Sequence, residues 1–357
     1  MNQQLTLNKR NPSIDYVKVW ASFSVISIHF RLNVQEMIPI ETFGKWTSLF
    51  FSVIYQIFIP CVPLFLIATG YLMNRKTYSL KYYITIFKVF SLYVLCSLIT
   101  YGIMMYYAGT VLTLKEVIYS IERFQLIPYS WYVEMYIGFA IIIPLINIFI
   151  QRTSQKELGY LIISLMLICS IPPFINSNPQ LNRYFYLSSS WISLYPILYY
   201  LIGALLHKYY DVETIRHRKH LLFLLAAHIS STLIGIYINF ANADPSAGAS
   251  EGGYPSIIVV IQSVSLFLLI ISLFRKENRL VASVSKLTLS IYLMSFAVDQ
   301  IIYPYFLSKL GQPEALLVYM TLISSIIFTL SILLASLVQQ INTLSWFYIE
   351  KILKALS

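Results

Sequence analysis

Charge is scarce in this chain. Only 11% of its 357 residues are Asp, Glu, Lys or Arg, against roughly 25% in ordinary soluble domains. Acidic residues are scarcer than basic ones, 15 against 25, leaving a formal charge of +10. Cysteine is rare as well. Cys61, Cys96 and Cys169 sit singly inside hydrophobic runs, with neither metal-ligand spacing nor the pattern of a disulfide framework, and read as small apolar residues. No internal repeat and no soluble second domain are visible. What is abundant is hydrocarbon: 58% hydrophobic residues and a mean hydropathy of +0.70. One soluble core cannot hide that much apolar surface. The runs are continuous over about 20 residues, not alternating, which excludes a β-barrel. The fold class is all-α, a polytopic integral membrane protein.

Ten spans are expected, at 14–33, 46–73, 82–107, 130–150, 158–175, 188–206, 220–240, 255–274, 287–308 and 314–341. The first twelve residues are polar, and the first apolar run holds charges and lacks a small-residue cleavage site. It is therefore expected to stay as a helix and not to be removed as a leader.

Orientation follows from Lys and Arg. With the N-terminus cytoplasmic, seventeen basic residues fall inside, among them Lys9, Arg75, Lys76, Lys81, Arg152, Arg218, Arg275 and Lys351. The other face holds six: Arg31, Lys45, Lys115, Arg123, Arg183 and Lys309. The asymmetry predicts N-in and C-in. It also accounts for the net charge without nucleic acid. Residues 108–129 are expected as a long outer loop, and 176–187 and 241–254 as polar outer loops. Residues 1–341 form one transmembrane domain. Residues 342–357 read as an amphipathic cytoplasmic tail, with Trp346, Ile349, Ile352, Leu353 and Leu356 on one helical face.

The first span, "DYVKVWASFSVISIHF", carries Asp15, Lys18 and His29. Eleven residues turn an α-helix by about 1100°, three turns plus about 20°, so Lys18 and His29 share one face about 16 Å apart. Asp15 and Ser22 lie on the same stripe. Ionisable groups inside a span are costly and mark function. Lys18 alone can snorkel to the interface. His29 lies deeper, and an imidazole titrates near neutrality and can accept a hydroxyl proton.

"SIDYVKVWASFSVISIHF" resembles the opening helix of the acyltransferase family 3 integral membrane proteins. Their signature is a basic residue, ten intervening residues and a histidine, matched by Lys18 and His29, with Asp15 at the preceding acidic position. "VPLFLIATGYLMNRK" (62–76), "SWYVEMYIGFAIIIPLI" (130–146) and "SKLTLSIYLMSF" (285–296) are similar to later segments of that family. The chain departs from it in two places. At the start of the third span, Thr85 and Lys88 stand where many members have two arginines. Ser295 stands near a position often held by histidine. Nothing follows the last span that matches the esterase-like domain some relatives carry.

The resemblance implies transfer of an acyl group, usually acetyl, from cytoplasmic acyl-CoA to a hydroxyl of a cell-envelope or extracellular polysaccharide. It implies residence in the cell membrane, acyl-CoA as co-substrate and no permanently bound cofactor. His29 is then the general base or a transient acyl carrier, and both routes stay open. The donor phosphates are expected to meet Lys18, Arg75, Lys76, Lys81 and Lys88, since lysine serves phosphate as a point charge. Glu134 is a second catalytic candidate, orienting His29 or binding sugar; the alternative is a water-facing interface carboxylate. Trp131, Tyr132 and Tyr136 are candidates for stacking on a sugar or for the interfacial aromatic belt. Arg31 suits either an anionic acceptor or an outer-interface anchor. Asp299, mid-span, suits pairing with Arg or Lys, or lining the cavity. Asp15 is assigned to acceptor binding or structural support. His207, His217, His220 and His228 suggest no metal site.

The expected partners are acyl-CoA, an envelope glycan and membrane lipid, with a second copy of the chain or a polysaccharide-synthesis complex as further candidates. The competing reading is a transporter or flippase of a lipid-linked or polymeric glycan, though the span prolines show no two-fold pattern.

Overall fold

The computed structural model describes residues 10–38, 44–177, 188–241 and 253–356. Lys9, Arg183 and most of the polar stretches at 176–187 and 241–254 lie outside the described residues. No strand occurs among the described residues. In chain order the helices are α1 (Pro12–Met37), α2 (Lys45–Phe58), α3 (Cys61–Met73), α4 (Leu80–Ala108), α5 (Leu114–Glu122), α6 (Trp131–Arg152), α7 (Gln155–Leu165), α8 (Ile171–Ser177), α9 (Ser189–Ile192), α10 (Tyr195–Tyr209), α11 (Val212–Ile215), α12 (Arg218–Ala241), α13 (Ile257–Leu273), α14 (Arg279–Ser285), α15 (Thr288–Leu310), α16 (Ala315–Val318) and α17 (Met320–Leu356).

Among the described residues, seven helical stretches are long and apolar enough to cross a membrane, or eight if the broken pair α14–α15 counts as one span. Each coincides with an expected span. The protein is a multi-pass helical membrane protein. The other two expected spans, 14–33 and 255–274, correspond to α1 and α13. α1 carries Asp15, Lys18, His29 and Arg31 in its length, and α13 has only 17 residues.

Prolines shape several spans, because each removes the backbone donor that the carbonyl four residues earlier would use. The expected span at 46–73 is two helices, α2 and α3, separated at Ile59–Pro60. Pro63 leaves the Ile59 carbonyl without its usual partner, and the Cys61 thiol donates to it at 3.7 Å. In the span at 158–175, Pro172 and Pro173 supply no N–H. The preceding turn, Met166–Ser170, widens to a π-helix. The expected loop at 108–129 is not bare loop: it contains α5. Thr113 caps that helix by accepting from Glu116 N, and the Glu116 carboxylate accepts from Thr113 N. This Thr-x-x-Glu capping box is a sequence signal for a helix start. At the other end, residues 342–356 continue α17 without a break.

The chain forms two compact units. One comprises Met1–Ala21, Ile59–Leu72 and Gln155–Lys286. In it α12 packs on α13 and α7 on α10. α3 and α10 approach at backbone distance, since a Cβ on Gly70 would overlap the Tyr200 carbonyl and one on Gly203 the Ile67 carbonyl. Small residues at such crossings let membrane helices gain close packing where the hydrophobic effect offers little. The N-terminal segment is tied down by charge: Arg10 pairs with Asp15 at 2.7 Å, and Ser285 donates to Asp15 at 2.5 Å.

The other unit comprises Ser22–Phe58, Met73–Ser154 and Leu287–Ser357. α15 packs on α17 and α4, and α4 also packs on α6. Phe23 of α1 meets Phe58 and Phe328 edge-on, at 6.0 and 5.6 Å. This unit holds the site described next.

Candidate active site

α1 is one uninterrupted helix, so the eleven-residue spacing from Lys18 to His29 is kept. Lys18 belongs to the segment counted with the first unit, and His29 to the segment counted with the second. Lys18 is half-buried and, among the described residues, forms no ion pair. His29 is buried, 7% exposed.

The imidazole of His29 stacks on the ring of Tyr129, centroids 3.5 Å apart and planes 27° apart. Tyr292 lies 6.0 Å away. The phenol of Tyr129 donates to Asp299 Oδ2 at 2.7 Å. Asn33, one turn beyond His29, donates from Nδ2 to the Tyr129 oxygen at 2.9 Å and to Asp299 Oδ2 at 3.3 Å. Tyr292 donates its phenol to the Tyr129 carbonyl. His29 Nδ1 and Asp299 Oδ1 are buried and have no hydrogen-bond partner among the described residues.

Two helix faces and one turn build this cluster. His29 and Asn33 are four apart on α1. Tyr292, Phe296 and Asp299 follow at intervals of four and three on α15, and therefore share a face. Tyr129 comes from a single 3-10 turn, Pro128–Ser130, ahead of α6. That turn is fixed by Ser130, whose hydroxyl meets the carbonyls of Phe124 and Ile127 at 2.5 and 2.6 Å. Phe124 has φ +53, a strained value for an L-residue with a bulky side chain. Its ring stacks on Tyr93 at 4.6 Å, which holds it there.

A second feature of the same unit is a cavity of about 360 Å³ lined by Arg75, Lys76, Thr77, Ser79, Lys81, Tyr82, Thr85 and Tyr136, among others. Arg75, Lys76 and Lys81 have no acidic partner among the described residues. The loop carrying Arg75 and Lys76 is held from α6. Asn147 donates to the Met73 and Lys76 carbonyls at 2.7 and 2.8 Å, and Gln151 to the Asn74 carbonyl at 2.8 Å. Pro144 withholds the N–H that Ala140 O would accept, and the Tyr82 phenol donates there at 2.6 Å. A chain of rings leads from this cavity to the histidine. Tyr136 stacks with Tyr132 at 6.1 Å, Tyr132 meets Tyr292 edge-on at 5.8 Å, and Tyr292 faces His29.

The remaining candidates fall elsewhere. Lys88 does not line the cavity. Its ammonium lies 4.9 Å over the Trp346 ring, and the Trp346 indole N–H donates to Ser91 at 2.8 Å. Glu134 lies on an exposed face. The carboxylate brought to the neighbourhood of His29 is that of Asp299. Asp299 forms no ion pair with Arg or Lys among the described residues; its partners are Tyr129 and Asn33. Arg31 is buried, 3% exposed, with its guanidinium 4.9 Å over the Tyr55 ring, so it does not reach water as an outer-interface anchor. Asp15 is engaged by Arg10 and Ser285, a supporting role. Trp131 is more exposed than Tyr132, at 36% against 9%.

The sequence reading missed Asn33, Tyr129 and Asn147. The i, i+4 relation to His29 marks Asn33. Polar residues within apolar helices mark Asn147. For Tyr129, one among 29 tyrosines, no sequence signal exists.

No curated protein and no solved structure matches this chain. A family model described as an acyltransferase domain matches residues 11–338. With a buried histidine on the first helix and a basic cavity in the same unit, the chain belongs to acyltransferase family 3.

Proposed function

We propose that the protein moves an acyl group, acetyl, from cytoplasmic acyl-CoA to a hydroxyl of a cell-envelope or extracellular polysaccharide, in the cell membrane with both termini cytoplasmic. The observation that supports this most is the pairing, within one unit, of a cavity ringed by three cations without acidic partners among the described residues and a buried imidazole. Acyl-CoA is polyanionic at one end and carries its thioester on a long neutral arm. Arg75, Lys76 and Lys81 suit the phosphates, and the hydroxyls of Thr77, Ser79 and Thr85 suit further acceptor oxygens. The aromatic series Tyr136–Tyr132–Tyr292 suits the wall along which the arm lies. Lys18, the signature cation, and Lys88 remain donor-side candidates from the sequence.

In the general-base route, His29 takes the proton of the acceptor hydroxyl. The hydroxyl oxygen attacks the thioester carbonyl carbon, the C–S bond breaks, and the departing sulfur receives the proton as free CoA thiol. In the acyl-carrier route the imidazole displaces CoA first and the hydroxyl then displaces the imidazole. Both require His29.

The test is transfer of labelled acetyl from acetyl-CoA to envelope glycan in membranes, comparing wild type with His29→Ala at matched protein levels. Loss of labelling is expected; full labelling by the variant would remove His29 from the reaction. Rapid quenching that traps labelled protein in wild type and not in the variant would select the carrier route.

A further inference from the structure

The buried carboxylate of Asp299 has no role in the chemistry above, yet it is costly where it stands. We propose that Asp299 is a positioning residue for His29, acting through the phenol of Tyr129. The inference rests on the assignment of His29 as the reacting imidazole.

Three observations carry it. Asp299 is 2% exposed and forms no ion pair among the described residues, so no cation explains its presence within a span. Its hydrogen-bond donors are Tyr129 at 2.7 Å and Asn33 at 3.3 Å. One presents its ring face to His29, and the other lies one helical turn beyond it. Finally, the Tyr129 ring is clamped at both ends. Its phenol is held by Asp299 and Asn33, and its backbone carbonyl accepts from Tyr292. An aromatic ring so held fixes the plane against which the imidazole stacks.

The physical consequence is twofold. Misplacement of a reacting group by about 1 Å costs about 10²-fold in rate, and the clamp prevents it. When His29 gains a proton or an acyl group it becomes cationic. The π face of Tyr129 attracts a cation, and the carboxylate behind the phenol strengthens that attraction in a low-dielectric site. A purely structural carboxylate needs no charge: an amide oxygen would accept from Tyr129 equally well. That difference makes the proposal testable.

The variants are Asp299→Asn, which keeps an acceptor oxygen and removes the charge, and Tyr129→Phe, which keeps the ring and removes the link. Steady-state acetyl transfer is measured with acetyl-CoA and glycan varied separately. Tyr129→Phe, which releases the clamp, is expected to lower kcat by about 10²-fold, Asp299→Asn to lower kcat through loss of the charge that steadies a cationic His29, and both to leave the KM values within about twofold. The double variant is expected to be no slower than Tyr129→Phe alone, since the carboxylate acts through the phenol that this variant lacks. Wild-type kcat in Asp299→Asn, or losses that multiply in the double variant, would overturn the proposal. If Asp299→Asn does not accumulate, Tyr129→Phe alone carries the same test, because it removes a single oxygen. Activity in His29→Ala would sink the assignment of the reacting imidazole. An inactive His29→Ala beside an unaffected Asp299→Asn would sink only the role of Asp299.

Discussion

The ring of His29 lies parallel to that of Tyr129 within 27°, their centroids 3.5 Å apart. On the proposed mechanism, removing the imidazole removes the reacting group. His29→Ala is therefore expected to lower kcat by about 10²–10⁴-fold, the usual contribution of a positioned acid–base group. Truncating a buried, stacked ring also costs stability, so protein yield and detergent melting temperature are recorded beside activity. A variant that is inactive because it does not accumulate would show as a lost band, which a membrane immunoblot reads directly.

The basic cavity predicts a donor effect. Lys81→Ala should raise KM for acetyl-CoA about tenfold, from loss of one exposed charge-assisted contact of about 1.5 kcal/mol, with kcat little changed. Raising ionic strength should raise the wild-type KM, since the three cations are exposed and screened by salt. Lys88→Ala should move the donor KM far less, because its ammonium rests on Trp346 and not in the cavity. A KM that ignores both salt and Lys81 would separate the cavity from the donor.

Asn147 offers a subtler check. It touches no proposed reactant, but it holds the carbonyls of Met73 and Lys76. Asn147→Leu should free the loop that carries Arg75 and Lys76 and raise the donor KM several-fold, at a stability cost of about 1–3 kcal/mol. Combining it with Lys76→Ala should give less than the product of the two effects, because both act on one loop. Independent effects would show that the loop holds its shape without α6.

A prediction for folding comes from the α3–α10 crossing. Gly70→Ala and Gly203→Ala each place a methyl where a backbone carbonyl stands. Backbone cannot rotate aside as a side chain can, so each is expected to destabilise by about 1–3 kcal/mol or more. Lower melting temperature in detergent, and loss of yield in the double variant, are the readouts. Gly102→Ala, with open space around its Cβ position, is the matched control.

Much of this was legible in the chain itself. Helical class and membrane residence follow from apolar runs that leave backbone polar groups no partner but one another. The family signature is a spacing on one helix, so Lys18 and His29 could be read without a fold. The proline breaks at Pro63 and the Thr113–Glu116 cap are local rules as well; the latter went unread because its helix is short and lies in an expected loop. Asp299 stood out by its cost, but its purpose did not. For Glu134 the sequence leaves open a catalytic carboxylate or a water-facing one, because position along a helix does not say which face meets a neighbour; the structure puts it on an exposed face.

Sequence alone determined the class and the family and singled out His29, because each depends on composition or on intervals within one segment, which helix geometry translates directly. Tertiary structure alone decided the company His29 keeps. Tyr129 and Asp299 reach it from points about a hundred and two hundred seventy residues away, and only packing, which depends on the shapes of all the intervening side chains at once, can bring such positions together.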